Sequence, residues 1–465
     1  MKSDISNLKL FIKSFGCQMN KLDTVLVTSA LKEAGFSLVE SEKDADVVLI
    51  NTCSVREHAE ERVLSHLGHL KHIKETRPDM VVGVIGCMAQ RLGDKLLEHK
   101  AVNIVCGPAQ IPQITELVTK ALQQKQKSLA VTGKIRKTTE KQNQTLEKFE
   151  SSYGIADEQI PGQAFVRVMR GCDNFCAYCI VPYVRGPAVC RPPEAIIEQI
   201  KNLADHGVKQ VTLLGQTVNS YKYRSGERTY CLADLLEMAG DIEGIEWVKF
   251  VTSYPSEEFF DRILHVMAGS PKVCKYLHLP AQSGSDKILR GMNRHYSSRW
   301  YLELLDRARA IVPDIAIAGD FIVGFPGESE DDFQATVDLL TKARYKNAFI
   351  FKYSARPGTN ADKRLQDNVP AEIKQKRNME LLAVQEKVSD EISRAFLGKE
   401  VKVLVEGLSK KPHLNAAGSG DNPQLVGRTA TDHIVVFNGP ESLAGRFAKV
   451  KIAKTSPLTL FGQLS

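Results

Sequence analysis

The 465-residue chain is predicted to be an α/β protein in three folded parts, on three observations. Apolar runs alternate with helical patterns from residue 8 to about 120, which implies a parallel, doubly wound sheet. Six further apolar runs lie between 163 and about 395, and each but the last leads into a helical pattern. Six such units without a seventh or eighth imply an incomplete TIM-like barrel, a partial (β/α)6. From 397 to 465, short strand patterns separated by Gly, Asn and Pro suit a small β-barrel. A prior of about 150 residues per domain also suggests roughly three domains. The composition, 43% apolar and 25% charged, is ordinary for a soluble globular chain. A net charge of +7 permits a polyanionic partner without requiring one. The first seven residues lack the apolar core of a signal peptide. The longest apolar run, Met80 to Ala89, is about half a membrane span. The chain therefore reads as cytoplasmic, and its ten cysteines as metal or catalytic groups before disulfides.

In residues 8–120, strands are predicted at Leu8–Phe15, Asp46–Ile50, Met80–Ile85 and Asn103–Cys106. Helices are predicted at Lys21–Ala34, closed by Gly35, and at Arg56–Lys74. Cys17, Cys53 and Cys87 follow the first three strands, beside Gly16, Thr52 and Gly86. Parallel sheets bind ligands beyond the carboxyl ends of their strands. Adjacent strands stand about 4.8 Å apart, so three such loops can converge on one small object. The alternative is three buried structural cysteines; against it, each lies past its predicted strand, not within it. Cys106, in Cys106-Gly-Pro, is a spare ligand candidate that reads better as structural.

Residues 121–162 are rich in Lys, Gln and Thr and read as a basic, solvated linker.

In residues 163–395, strands are predicted at Ala164–Met169, Gln210–Gly215, Trp247–Thr252, Tyr276–Leu279, Ile315–Val323 and Ala348–Tyr353. Helices fall at Pro193–His206, Glu257–Met267, Ser298–Ile311 and Ser329–Ala343. The first strand leads into Arg170-Gly-Cys-Asp-Asn-Phe-Cys-Ala-Tyr-Cys179. Cys172, Cys176 and Cys179 have C-x3-C-x2-C spacing. Three thiolates hold three corners of a cubic iron–sulfur cluster and leave one iron open, unlike the four-cysteine run of ferredoxins. Tetrahedral zinc prefers paired C-x2-4-C units. Barrel chemistry sits at the carboxyl ends of the strands. There the sequence places Gln216, Ser253, Gln282 and Ser283, with Asp320 inside the fifth strand. A buried carboxylate in an apolar strand needs partners; ribose hydroxyls or a ligand ammonium would serve.

In residues 397–465, strands are predicted at Val401–Val405, Leu425–Ala430, His433–Phe437 and Phe447–Ala453. Nine basic against five acidic residues would reward a phosphate backbone. Residues 418–423 read as an exposed loop.

The cluster loop, with Tyr178 in its last gap, resembles that of radical S-adenosylmethionine (radical SAM) enzymes. Phe15-Gly-Cys-Gln-Met-Asn20, Asn51-Thr-Cys-Ser-Val-Arg-Glu57 and Gly86-Cys-Met-Ala-Gln90 resemble the methylthiotransferase family, of the MiaB type. The last 70 residues resemble a TRAM domain. This resemblance implies two 4Fe-4S clusters, on Cys17, Cys53 and Cys87 and on Cys172, Cys176 and Cys179. It implies a radical SAM core whose open iron chelates S-adenosylmethionine. Contacts to that cofactor are expected from Tyr178, Gln216, Ser253, Ser283 and Asp320. The implied activity is 2-methylthiolation of N6-isopentenyladenosine at tRNA position 37, beside the anticodon. The implied partners are tRNA, an electron donor such as flavodoxin or ferredoxin, and a sulfur donor or cluster-assembly carrier, with no membrane. Ala188 and Cys190 depart from the family, which usually has an acidic residue and a serine there. The competing functions are methylthiolation of a ribosomal-protein aspartate, a non-catalytic iron–sulfur RNA-binding protein, and a zinc-bound scaffold.

Overall fold

The computed structural model describes residues 7–54, 57–133, 139–151, 160–410 and 422–465. The expected loop at 418–423 falls largely outside them, as do Lys134, Arg136 and Lys137 of the basic stretch. The chain forms two compact units. The first takes residues up to 159 with 169–175 and 179–191; the second takes 160–168, 176–178 and 192 onward.

The first unit is built on β1 (Lys9–Phe15), β2 (Ser37–Leu38), β3 (Val47–Thr52), β4 (Val81–Gly86), β5 (Ile104–Cys106) and β6 (Ser128–Ala130). All are parallel, in the order β2-β1-β3-β4-β5-β6. Every residue of β3 and β4 is buried, as expected of strands covered on both faces. Val48, Ile50, Val82 and Val84 face one core; Val47, Leu49, Val81 and Ile85 face the other. α1 (Gln18–Glu33) follows β1, α2 (Glu57–Thr76) follows β3, and α3 (Cys87–Leu92) follows β4. The stretch expected to be a linker supplies β6 and a helix, Glu140–Ser151. Two of its lysines have local partners: Lys125 pairs with Asp79, and Lys127 donates to Leu97 O at 2.6 Å.

The second unit holds β7 (Gln163–Arg167), β8 (Gln210–Leu214), β9 (Trp247–Val251), β10 (Tyr276–His278), β11 (Ala316–Val323) and β12 (Asn347–Lys352). β7-β8-β9 and β10-β11-β12 are parallel sheets. Between them run a parallel bridge, Val248 to Val273, and the bond from Cys274 N–H to Val248 O. Strand follows neighbouring strand around the expected partial barrel. β13 (Glu400–Leu408), β14 (Gln424–Arg428), β15 (Ile434–Asn438), β16 (Phe447–Thr455) and β17 (Thr459–Leu464) close a small barrel. It sits at the amino ends of the larger barrel's strands. Trp247, the first residue of β9, meets Phe447 edge-on at 4.7 Å. Asp432 is shared by Lys249, Lys346 and Arg428.

Candidate iron–sulfur and cofactor sites

The register of the first unit aligns Phe15 with Thr52 and Thr52 with Gly86. Cys17, Cys53 and Cys87 therefore leave three adjacent strands at one edge. That edge includes β1/β3, where the strand order reverses and open sheets bind ligands. Cys17 is the N-cap of α1, and Cys87 is the first residue of α3. The ground beneath them is polar and locked. Asn20 Nδ2 donates to Asn51 Oδ1 at 2.9 Å, and Asn51 Nδ2 donates to Asn20 O at 2.7 Å and Thr24 Oγ1 at 3.0 Å. A Cβ at Gly16 would lie 2.5 Å from Asn20 Oδ1. One at Gly86, where φ is +95°, would lie 2.6 Å from Asn51 Oδ1. These glycines let the amides pass beneath the cysteines. Arg91 holds the turn after Cys53, donating to Ser54 Oγ at 2.9 Å and Glu60 Oε2 at 2.6 Å.

A hydrogen bond with Cys53 lowers the Cys17 thiol to about 6, against burial. Arg185 and the N–H groups of Asn20 and Met19 help, as thiolates at helix N-termini expect. Burial raises Cys87, opposed by Arg185. Arg185 Nη2 also donates to Asp23 Oδ2 at 2.8 Å. Three thiols on one edge, one poised as thiolate beside a fixed cation, fit three corners of a 4Fe-4S cluster. Among the described residues, no three His, Cys, Asp or Glu groups are arranged around a single metal ion. None of the ten cysteines, all described, is in a disulfide. Cys106 is fully buried and burial raises its thiol.

Cys172 and Cys179 belong to the same unit, Cys172 buried and Cys179 half-buried. Cys172 N–H donates to Gly186 O at 3.1 Å. A Cβ at Gly171, with φ +71°, would come 1.9 Å from Pro187 O, so only glycine fits before Cys172. The flanks are tied to helix Glu140–Ser151: Arg191, wholly buried, donates to Glu147 at 2.6 and 2.9 Å, and Arg170 to Glu150 at 3.3 Å. Ala188 N–H donates to Asp173 Oδ1 at 3.2 Å. Cys190 pairs with Met169 in a two-residue antiparallel ladder.

Cys176 belongs to the second unit. Ala177 beside it is pinned on both sides, its N–H to Met292 O at 2.8 Å and its O to Ala361 N–H at 2.7 Å. Tyr178 packs with Ile288, Met292, Phe325 and Tyr353. Sequence reasoning missed Arg294. This buried guanidinium donates to Cys176 Sγ at 3.5 Å and Pro280 O at 2.9 Å, and lies 4.3 Å from the Tyr254 ring centre. Its only signal was a lone arginine in a loop.

The strand-end residues divide into two groups. Gln216 Oε1 and Ser253 Oγ, past the neighbouring strands β8 and β9, are buried with no hydrogen-bond partner among the described residues. Ser283 Oγ lies 3.2 Å from Thr336 Oγ1 and accepts from Ser285 N–H. Asp320 is half-buried, and its Oδ1 stands 3.2 Å from His278 Nε2. The carboxylate expected to depend on a ligand thus has a protein partner one strand away.

Three family models match in order: an uncharacterized protein family, UPF0004, over residues 9–107, the radical SAM superfamily over 166–340, and the TRAM domain over 394–465. The tRNA-2-methylthio-N(6)-dimethylallyladenosine synthase of Rhodopirellula baltica is 42% identical, across 98% of this chain and 95% of its own. Its namesake in Thermoanaerobacter is 41% identical, across 98% and 93%. Among solved structures, the radical S-adenosylmethionine methyltransferase TsrM of Kitasatospora setae has a TM-score of 0.54 at 15% identity, over 77% of each chain, a likeness of fold alone. Identity of this order over almost the full length places the chain in the tRNA-2-methylthio-N(6)-dimethylallyladenosine synthase family of radical SAM enzymes.

Proposed function

We propose that the chain is a tRNA methylthiotransferase converting N6-isopentenyladenosine at position 37 to its 2-methylthio derivative. The observation that carries this reading is the second cysteine set. Radical generation alone needs only the C-x3-C-x2-C loop, whereas Cys17, Cys53 and Cys87 add a strand-edge site with a depressed thiol. When bound, S-adenosylmethionine and two 4Fe-4S clusters supply the radical, the sulfur site and the methyl group. The protein's residues position and shield. Cys172, Cys176 and Cys179 hold one cluster, with Arg294 fixing Cys176. Of the five cofactor contacts expected, Gln216 and Ser253 carry buried oxygens available to a ligand. Tyr178 lines an apolar wall, and Ser283 and Asp320 act through Thr336 and His278. Residues 8–120 serve the sulfur cluster, 163–395 the radical core and 397–465 the RNA. The enzyme works in the cytoplasm, with flavodoxin or ferredoxin as reductant and a sulfur carrier upstream. No helix among the described residues is long and apolar enough to cross a membrane.

The test uses anaerobically reconstituted protein, dithionite, S-adenosylmethionine, sulfide and tRNA carrying N6-isopentenyladenosine. Mass spectrometry of the digested tRNA should find the 2-methylthio nucleoside. 5′-Deoxyadenosine without modified tRNA would move the substrate to the ribosomal protein. Neither product from fully loaded enzyme would end the catalytic reading. Alanine at any of the six cysteines should abolish methylthiolation.

A further inference from the structure

We propose that Arg185 and Asp23 form a charge pair that sets the reduction potential of the cluster held by Cys17, Cys53 and Cys87. The inference rests on that assignment of the cluster. Arg185 lies six residues past Cys179, behind a one-turn helix (Val181–Val184) whose Val184 packs with Ile180 against Cys87. Its side chain is 7% exposed and that of Asp23 is 2% exposed. The positive charge of Arg185 favours the thiolate forms of Cys87 and Cys17. An arginine stays charged at any working pH. A buried guanidinium whose charge acts on two ligand sulfurs favours whichever cluster state is more negative. One-electron reduction adds one negative charge, so Arg185 raises the potential. Asp23 opposes it, since its carboxylate is buried beside the same cation. Arg185 is thus a positioning residue. The segment that provides Cys179 also provides the charge controlling the sulfur-site cluster.

The test isolates that cluster in full-length protein carrying Cys172→Ala, Cys176→Ala and Cys179→Ala. Each sample is titrated with dithionite at poised potentials and followed by electron paramagnetic resonance. Arg185→Gln should shift the midpoint to more negative potential, Asp23→Asn to less negative, and Arg185→Lys should fall nearest the parent. Equal midpoints in Asp23→Asn and parent, at equal iron content, would overturn the proposal even if Arg185→Gln loses its cluster. So would shifts of the same sign in Arg185→Gln and Asp23→Asn. A parent holding no iron–sulfur chromophore would instead refute the cluster assignment on which the proposal rests.

Discussion

At the scale of single residues, the cysteine site is held by amides and a neighbouring charge. Asn51 satisfies the side chains of Asn20 and Thr24 and the Asn20 carbonyl. Asn51→Ala removes three buried hydrogen bonds, leaving the Asn20 side chain only Thr52 O and Cys17, and should lower stability by about 1–3 kcal/mol, read from urea unfolding. His433 gives a pH dependence. Burial, with Lys346 nearby, lowers it to about 3, and its Nε2 is buried without a hydrogen-bond partner among the described residues. Above the ordinary histidine value of about 6.5, folded and unfolded states are both neutral. As pH falls towards 3, the unfolded chain takes the proton first, so stability is lost at about 1.4 kcal/mol per pH unit. Between pH 6.5 and 5, the wild type should lose about 2 kcal/mol more than His433→Gln; identical slopes would refute this. The cysteines were legible because spacing and residue type carry their chemistry. Asp23, Arg185 and Arg294 were not, since an isolated charge in a helix or loop reads as solvated surface.

At the scale of elements, apolar runs located the buried strands of the sheet and both barrels to within a few residues. β2, β6 and β17 escaped, as did the hairpin Lys222–Ser225 with Arg228–Cys231. Each is short, edge-placed or half-exposed, and such strands show no continuous apolar pattern. α1 begins at Gln18, three residues before the expected start, with Cys17 in extended backbone at its N-cap and its carbonyl accepting from Lys21 N–H at 3.1 Å. The helix Glu330–Ala343 opens with a capping box: Ser329 Oγ accepts from Asp332 N–H at 3.2 Å, and the Asp332 carboxylate accepts from Ser329 N–H at 2.9 Å. Lys287 and Ser285 also donate to Asp332, which is held well below the usual carboxylate range despite burial. Ser329→Ala should cost about 1 kcal/mol, and Asp332→Ala more, in thermal unfolding at neutral pH.

At the scale of the whole molecule, the decisive contact in the second unit is Asp432 beneath the larger barrel. Burial opposes its charge, yet Lys249, Arg428 and Lys346 hold it ionised, while burial lowers Lys346 to about 8. Asp432→Ala would leave three cations facing one another, a loss of about 3–5 kcal/mol. Limited proteolysis should then release the C-terminal barrel from the variant and not from wild type. The basic balance of that barrel overstates the charge offered to RNA. Lys402 is spent on Glu246, Lys449 on Glu400, and Arg428 on Glu406 and Asp432. Lys451 and Lys454 are exposed on β16 and form no ion pair among the described residues. Charge reversal at either should weaken tRNA binding and flatten its salt dependence by about one unit of log–log slope, measured by filter binding. The fold class and the sheet edge on which the first cysteines stand are legible in the chain's consecutive residues. Thiol spacing and strand periodicity are local properties, written in consecutive residues. Which charges act on the thiols, and which lysines remain for RNA, follows from long-range packing. Those partners lie far apart in the chain, 162 residues for Arg185 and Asp23 and 183 for Lys249 and Asp432, and folding alone brings them into contact.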